Sequence, residues 1–284
     1  MSGFAHADEV RRQVDEVLER FLSDRRAELA GLDPEAAALA EEIVRVVRAG
    51  GKRIRPALCV WAFRAAGGPD EDERILRAGA AIELLHTSAL VHDDVMDRDV
   101  ERRGEPATHV RFAKEAPAGV DPDGFGTAAA VLVGDLALVL SERLIRTCGF
   151  GGEPMGIAMT RFDRMRVEMA AGQFLDVAGS ERRDRVRALK TASYTAEGPV
   201  LIGAALAGAG AAAEGPLGVF GRLLGEAFQL RDDALDEAPG AAPASDVDGL
   251  LSRAVEALDG APLQPEGRAA LVAIAEALRM EAPR

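Results

Sequence analysis

No stretch of useful length in this chain alternates apolar and polar residues with the period of two that a half-buried strand requires, whereas helical spacing recurs from end to end. Val10, Val14, Val17, Leu18, Phe21 and Leu22, set among charges, predict an amphipathic helix over residues 4–29. Asp33-Pro34 has the pattern of an N-cap with proline at the first helical position, opening a helix to about Ala49. Further helices are predicted through Trp61 and Phe63 to Ala66, from Glu71 into Asp93, over 127–146 with a break at Gly134-Asp135, and over 155–177. Gly198-Pro199 should interrupt or kink the chain before 200–213, and Gly215-Pro216 should precede a helix over 217–236. Residues 249–258 and 265–280 read as two short closing helices. Glu115 to Gly126, rich in Pro, Gly and Asp, reads as a loop. The expected fold class is therefore all-α, one domain over residues 1–284 with about ten or more helices around a central cavity.

Hydrophobic residues make up 48% and charged residues 29% of the 284, the balance of a chain that buries a sizeable core. A formal net charge of −13 argues against nucleic acid as a partner, because phosphate backbones need a basic footprint. Small phosphorylated ligands, held by a few local bases or through metal ions, remain open. Only Cys59 and Cys148 are present, so no disulfide framework or zinc knuckle is expected and a reducing cytoplasmic location fits. Residues 1–20 hold no apolar leader core, and no apolar run reads as long and clean enough to span a bilayer; 201–213 is too short.

Against this acidic background two clusters stand out. Asp93, Asp94 and Asp97 fall within five residues at the end of the largely apolar run 80–91, and Asp232, Asp233 and Asp236 repeat the spacing downstream. On a helix the first and last acid of each cluster, four apart, project from one face. Carboxylates so crowded repel unless a cation sits between them, and a hard divalent ion with oxygen ligands suits them. Gly50-Gly51-Lys52-Arg53-Ile54-Arg55-Pro56 could cradle an anion at a helix start or simply end one helix with solvated bases. His86, seven residues before Asp93, reads first as a hydrogen-bonded helix residue and second as a phosphate contact. Arg102 and Arg103 follow the first cluster, where a loop could fold them over it. Asp135, inside a mostly apolar helix, is expected to be buried and to need a partner. Gln173 and Asp176 share a helical face that is either solvated or turned toward the polar site. Asp246-Val247-Asp248-Gly249 superficially suggests a calcium loop, but its register is wrong and a helix N-cap is the better reading.

Taken in order, the 50–56 segment, the 93–97 cluster with Arg102-Arg103-Gly104, Lys190-Thr191, and Phe228-Gln229 before Asp232 resemble the trans-polyprenyl diphosphate synthases of the isoprenoid synthase superfamily over residues 4–236. The resemblance implies a head-to-tail (1′-4) condensation of isopentenyl diphosphate with an allylic diphosphate (dimethylallyl, geranyl or farnesyl). It implies Asp93, Asp97, Asp232 and Asp236 as ligands of Mg2+, three ions with Mn2+ as a substitute, supported by Asp94 and Asp233. Lys52, Arg55, His86 and Arg103 match positions that hold isopentenyl diphosphate; Arg102, Lys190 and Gln229 match contacts to the allylic diphosphate. Thr191 and Tyr194 match positions that steady the carbocation. The product tail would run along the helix before Asp93, where Ser88 and Ala89 are small and Leu85, Ile82 or Trp61 could close the pocket further down, so geranylgeranyl diphosphate is the expected product. A homodimer is also implied.

The chain departs from that pattern after Asp236. No lysine follows Lys190, and the Gly-Lys loop usual in the family is missing, so this region reads as shortened or incomplete. Two alternatives follow: a non-catalytic partner subunit of a heteromeric prenyl synthase, or a class I terpene cyclase. The two complete aspartate clusters favour the synthase over both.

Overall fold

The computed structural model describes residues 5–180, 182, 186, 188–235 and 244–279. Along the chain lie α1 (Ala5–Leu32), α2 (Ala37–Arg48), α3 (Ile54–Ala65), α4 (Glu73–Asp97), β1 (Glu101–Arg102), β2 (Glu105–Pro106), α5 (Thr108–Lys114) and α6 (Pro122–Arg146). Then follow α7 (Gly152–Val177), a π-helical segment (Ala188–Glu197), α8 (Gly198–Leu206), α9 (Ala211–Leu235), α10 (Ala244–Glu256) and α11 (Pro265–Glu276). The expected all-α class holds: the only strands among the described residues are two residues long. The chain groups into two compact units, one of residues 12–52 and 80–148, the other of the remainder.

In the larger unit the core helix is α3. Eleven of its twelve residues are buried, with only Arg55 part-exposed, and a helix apolar on every side belongs in a core. It packs against α8 and α11. Both contacts depend on glycine: a Cβ on Gly203 would lie 2.1 Å from the carbonyl oxygen of Cys59, and one on Gly267 2.4 Å from the amide nitrogen of Ala65. Cys59 and Cys148 are both buried. The interruption expected at Gly198-Pro199 takes the form of the π-helical segment just before it, with proline in the first turn of α8, where a missing N–H costs least.

Three expected boundaries move. Helix α9 begins at Ala211 and runs through Pro216, the turn being made instead at 207–210, where Gly208 has φ +74°. Residues 246–249 lie inside α10, which removes the calcium-loop reading and puts Asp246 in the first turn rather than at the cap. Helix α6 begins at Pro122, capped by Asp121, whose carboxylate accepts from the Gly124 amide at 3.1 Å.

In the smaller unit α6 packs on α2 and α5 and runs unbroken through Gly134-Asp135. Its glycines serve close packing: a Cβ on Gly126 would meet the His109 carbonyl at 2.2 Å, and one on Gly134 the His92 ring at 2.1 Å. Asp135 is exposed rather than buried, 3.6 Å from His92 Nε2. One stripe of α6 (Ala130, Val133, Ala137, Leu140, Leu144) is buried, while Val131, Leu132 and Val139 are exposed, so this mostly apolar helix buries one face. Because it is unbroken, this 25-residue helix is long and apolar enough by length and composition to cross a membrane, which the sequence reading, stopping at Gly134, did not anticipate. The same test is passed by core helices of many soluble proteins. Just before α2, Asp33 caps a 3₁₀ turn (Pro34–Ala36) with proline in its first position, accepting from the Glu35 amide at 2.8 Å.

Candidate active site

The smaller unit presents the first aspartate cluster on the last turn of α4. Asp93 is part-exposed, Asp97 exposed, and Asp94 turned inward and buried. Beyond the helix the chain reverses through a hairpin with Arg102 paired to Glu105 and Glu101 to Pro106. Its two turn residues, Arg103 and Gly104, have φ +57° and +80°, the left-handed pair that a two-residue hairpin of the twist-matching kind requires. This reversal brings Arg102 back over the cluster. Its Nε donates to Asp94 Oδ1, its Nη2 reaches Asp99 Oδ2 at 3.2 Å, and the same Nη2 lies 3.9 Å from Asp93 Oδ2. Burial pushes the Asp94 carboxyl above its ordinary range, and the Arg102 hydrogen bond and charge act against that shift. A pocket of about 20 Å³, room for one ordered water, opens beside it among Arg45, Leu90, Asp94, Arg102, Arg103 and Pro106.

The rest of α4 carries the other expected residues of this unit. His86 and Ala89 are part-exposed, and Leu85 and Ser88 are buried. Lys52 is exposed. Gly50 and Gly51 have φ +98° and +149°, and Arg53, at the N-cap of α3, φ +50°, with no side-chain capping bond at that end. The 50–56 segment is thus a sharp turn into a helix start, the backbone form that an anion cradle requires.

In the larger unit Arg55 lies against the π-helical segment. Its guanidinium sits 4.4 Å from the centroid of the Tyr194 ring, and Nη2 donates to Thr195 Oγ1 at 2.8 Å. Lys190 and Thr191 belong to that segment; of their side chains, as of Asp233, nothing is described, and Asp236 lies outside the described residues. Gln229 and Asp232 are part-exposed on the last turns of α9, and Gln173 and Asp176 part-exposed on α7. On the opposite flank of the segment, the Ser193 hydroxyl donates to Glu168, which also accepts from Arg164 at 2.7 Å.

Glu197, the last π-helical residue, is a second perturbed carboxyl. Burial raises its pKa and the charge of Glu168 adds to the shift, while Arg164, Arg222 and Arg161 oppose it. Folding therefore favours the protonated form. Its contribution to stability is present below the ordinary carboxylate range and is lost as pH rises through the higher folded value. Glu197→Gln should flatten the melting profile across that window and melt above wild type at neutral pH. Thermal melts between about pH 4 and pH 8 read both effects.

Among the described residues no three His, Cys, Asp or Glu side chains converge at metal-binding separation. That does not count against Mg2+, which is commonly held by one or two carboxylates together with substrate phosphates and water. Asp93 and Asp97, four apart and open to solvent, supply such a pair of hard oxygen donors. Two participants went unnoticed in the sequence, Glu42 and Arg45 of α2. Arg45 lines the same pocket as Asp94, and Glu42, wholly buried, is paired with Arg45. Their signal was only a Glu and an Arg three apart on an otherwise apolar helix face, which also describes an ordinary surface pair.

The polyprenyl synthetase family profile matches residues 36–242. A geranylfarnesyl diphosphate synthase of Aeropyrum pernix is 34% identical over 202 residues, covering 68% of this chain and 59% of that protein. A geranylgeranyl diphosphate synthase of Methanosarcina mazei is 35% identical over 201 residues, covering 67% and 56%. The matched region thus spans less than two thirds of either relative's length. In shape, the chain is similar to the geranylgeranyl pyrophosphate synthase of Corynebacterium glutamicum, solved with isoprenyl diphosphate and magnesium. The TM-score is 0.86 at 25% identity, over 98% of this chain and 99% of that one. The synthetase of Pyrococcus horikoshii, at 21% identity and TM-score 0.80 over 99% and 98%, shares the fold.

Proposed function

The chain belongs to the polyprenyl synthetase family, and from that premise we propose that it condenses isopentenyl diphosphate with an allylic diphosphate, head to tail, to give geranylgeranyl diphosphate. The observation that carries this reading is Arg102 folded onto the Asp93–Asp97 turn, which sets a guanidinium on Asp94 and 3.9 Å from Asp93, beside carboxylates that would hold a divalent ion, the surroundings a diphosphate needs. Asp93, Asp97, Asp232 and Asp236 would hold Mg2+, three ions in all and replaceable by Mn2+, with Asp94 and Asp233 in support. Bound there, the metal neutralises the allylic diphosphate and makes it a leaving group.

Arg102, Lys190 and Gln229 hold that diphosphate, while Lys52, Arg55, His86 and Arg103 hold isopentenyl diphosphate. The allylic C–O bond breaks, the isopentenyl double bond attacks the cation to form the new C–C bond, and a proton leaves to the departed diphosphate. Thr191 and Tyr194 steady the cation; the Tyr194 ring already accepts the Arg55 guanidinium at its face. An apolar enclosure keeps water from the cation. Residues 1–284 act as one domain, with the region after residue 236 shortened or incomplete, in a cytoplasmic homodimer. The exposed apolar stripe of α6 (Val131, Leu132, Val139) supports a partner surface.

The test is to incubate the purified chain with Mg2+, isopentenyl diphosphate and farnesyl diphosphate and weigh the products. A twenty-carbon diphosphate supports the reading. A hydrocarbon would make the chain a terpene cyclase, and turnover only with a second protein would make it a partner subunit. Product length tests the wall on α4: Ala89→Phe, one turn before Asp93, should shorten the main product to fifteen carbons, about one isoprene unit less. An unchanged product mass removes that floor.

A further inference from the structure

Glu42 is completely buried, yet it sits among apolar neighbours on the inner face of α2 with both carboxylate oxygens filled. Oε1 accepts from Arg45 Nη2 at 2.6 Å and from the Thr108 hydroxyl at 2.8 Å. Oε2 accepts from Arg45 Nε at 2.9 Å and from Arg111 Nη1. Four donors from three places in the chain saturate one carboxylate. Arg45 goes on to a further partner: Nη2 donates to the Pro106 carbonyl at 3.0 Å, and Nη1 lies 4.0 Å from Glu105 Oε2. Glu105 and Pro106 form the return strand of the hairpin, paired with Arg102 and Glu101. The Ala107 amide closes the same hairpin on the Val100 carbonyl at 3.1 Å.

A buried ion pair is a poor choice if the task is only to hold α2 against α5, since apolar side chains of similar volume do that as well or better. What the charged network adds is direction. The carboxylate locks the planar Arg45 fork in one orientation, and the fork fixes the carbonyl of the strand opposite Arg102. The hairpin needs such an anchor. It is two residues deep, its turn puts non-glycine Arg103 at φ +57°, and so short a ladder has little stability of its own.

We propose that Glu42 is a positioning residue: through Arg45 it fixes the hairpin Glu101–Pro106, and with it the aim of Arg102 and Arg103 at the diphosphate substrates. This rests on the condensation reading above. Arg103 holds isopentenyl diphosphate before and during reaction alike, so loosening it removes uniform binding and raises that substrate's KM, while Arg102 sits on the leaving diphosphate, so loosening it lowers kcat as well.

The experiment compares wild type with Glu42→Gln and Arg45→Met by hydrogen exchange and by steady-state kinetics with both diphosphates. Arg45→Met matters because it leaves Glu42 its bonds to Thr108 and Arg111, so the unit stays folded if Glu42→Gln does not. The expected result is exchange at the Ala107 amide about tenfold faster or more, with exchange in α3 unchanged. KM for isopentenyl diphosphate should rise about tenfold, and kcat should fall as the hold on the leaving diphosphate weakens. Unchanged hairpin exchange overturns the proposal, and so does faster exchange with unchanged KM. A wild-type chain that elongates no allylic diphosphate defeats the condensation reading instead, and the exchange rates then decide the anchoring of the hairpin by themselves.

Discussion

Gly203→Ala should destabilise the chain by about 3 kcal/mol or more, although it adds a single methyl group. The new Cβ would lie 2.1 Å from the Cys59 oxygen, 3.0 Å from the Cys59 carbonyl carbon and 3.0 Å from the Phe63 nitrogen. All three are backbone atoms of a buried helix, so no side chain can swing aside, and α8 must move off α3 to admit the methyl. Gly156→Ala is the matched comparison. That glycine lies exposed in α7 with nothing near its Cβ position, and alanine there should stabilise by about 0.5–1 kcal/mol through helix propensity. Urea denaturation of the two variants should move the midpoint in opposite directions at constant slope. Equal midpoints would mean that α3 and α8 are not in backbone contact.

On activity the largest losses should come from Asp93→Ala and Asp232→Ala. Each removes a proposed Mg2+ ligand, and the charge neutralisation that the ion supplies to a leaving diphosphate is worth about 10³-fold or more in kcat. Asp93→Ala also leaves Arg102 without a carboxylate that now lies 3.9 Å away, so the guanidinium can settle on Asp94 and Asp99 alone. Both positions are part-exposed, so folding should survive and melting temperatures stay close to wild type. Asp163→Ala is the control: its carboxylate pairs with Arg166 three residues away on an exposed face of α7, and turnover should be unchanged. A kcat for Asp93→Ala within about threefold of wild type would remove that residue from the metal set.

What could be read from the sequence was what is encoded locally. The Asp33-Pro34 cap, the acids four apart at the end of α4, and the return of Arg102 over the first cluster each involve residues close together in the chain. Glycine misled where it served packing instead of turning. Gly124 and Gly126 look like a loop, yet Gly126 is small because the His109 carbonyl presses on it, and Gly134 is small because His92 lies across it. The helix therefore starts earlier and continues further than the pattern suggests. The hairpin at 101–106 is too short to show any alternation, and its turn rests on a left-handed arginine that no propensity predicts. Glu42 was illegible for a different reason. Its partners Thr108 and Arg111 come from α5, more than sixty residues on, and only folding brings them to it.

The most direct measurement is anomalous diffraction at the manganese edge from crystals grown with Mn2+ and a non-ionisable allylic diphosphate analogue. The account predicts manganese peaks on the carboxylates of Asp93 and Asp97 and on Asp232, each with a diphosphate oxygen in its coordination sphere. Peaks at only one of the two clusters, or diphosphate bound with no manganese at either, would contradict it.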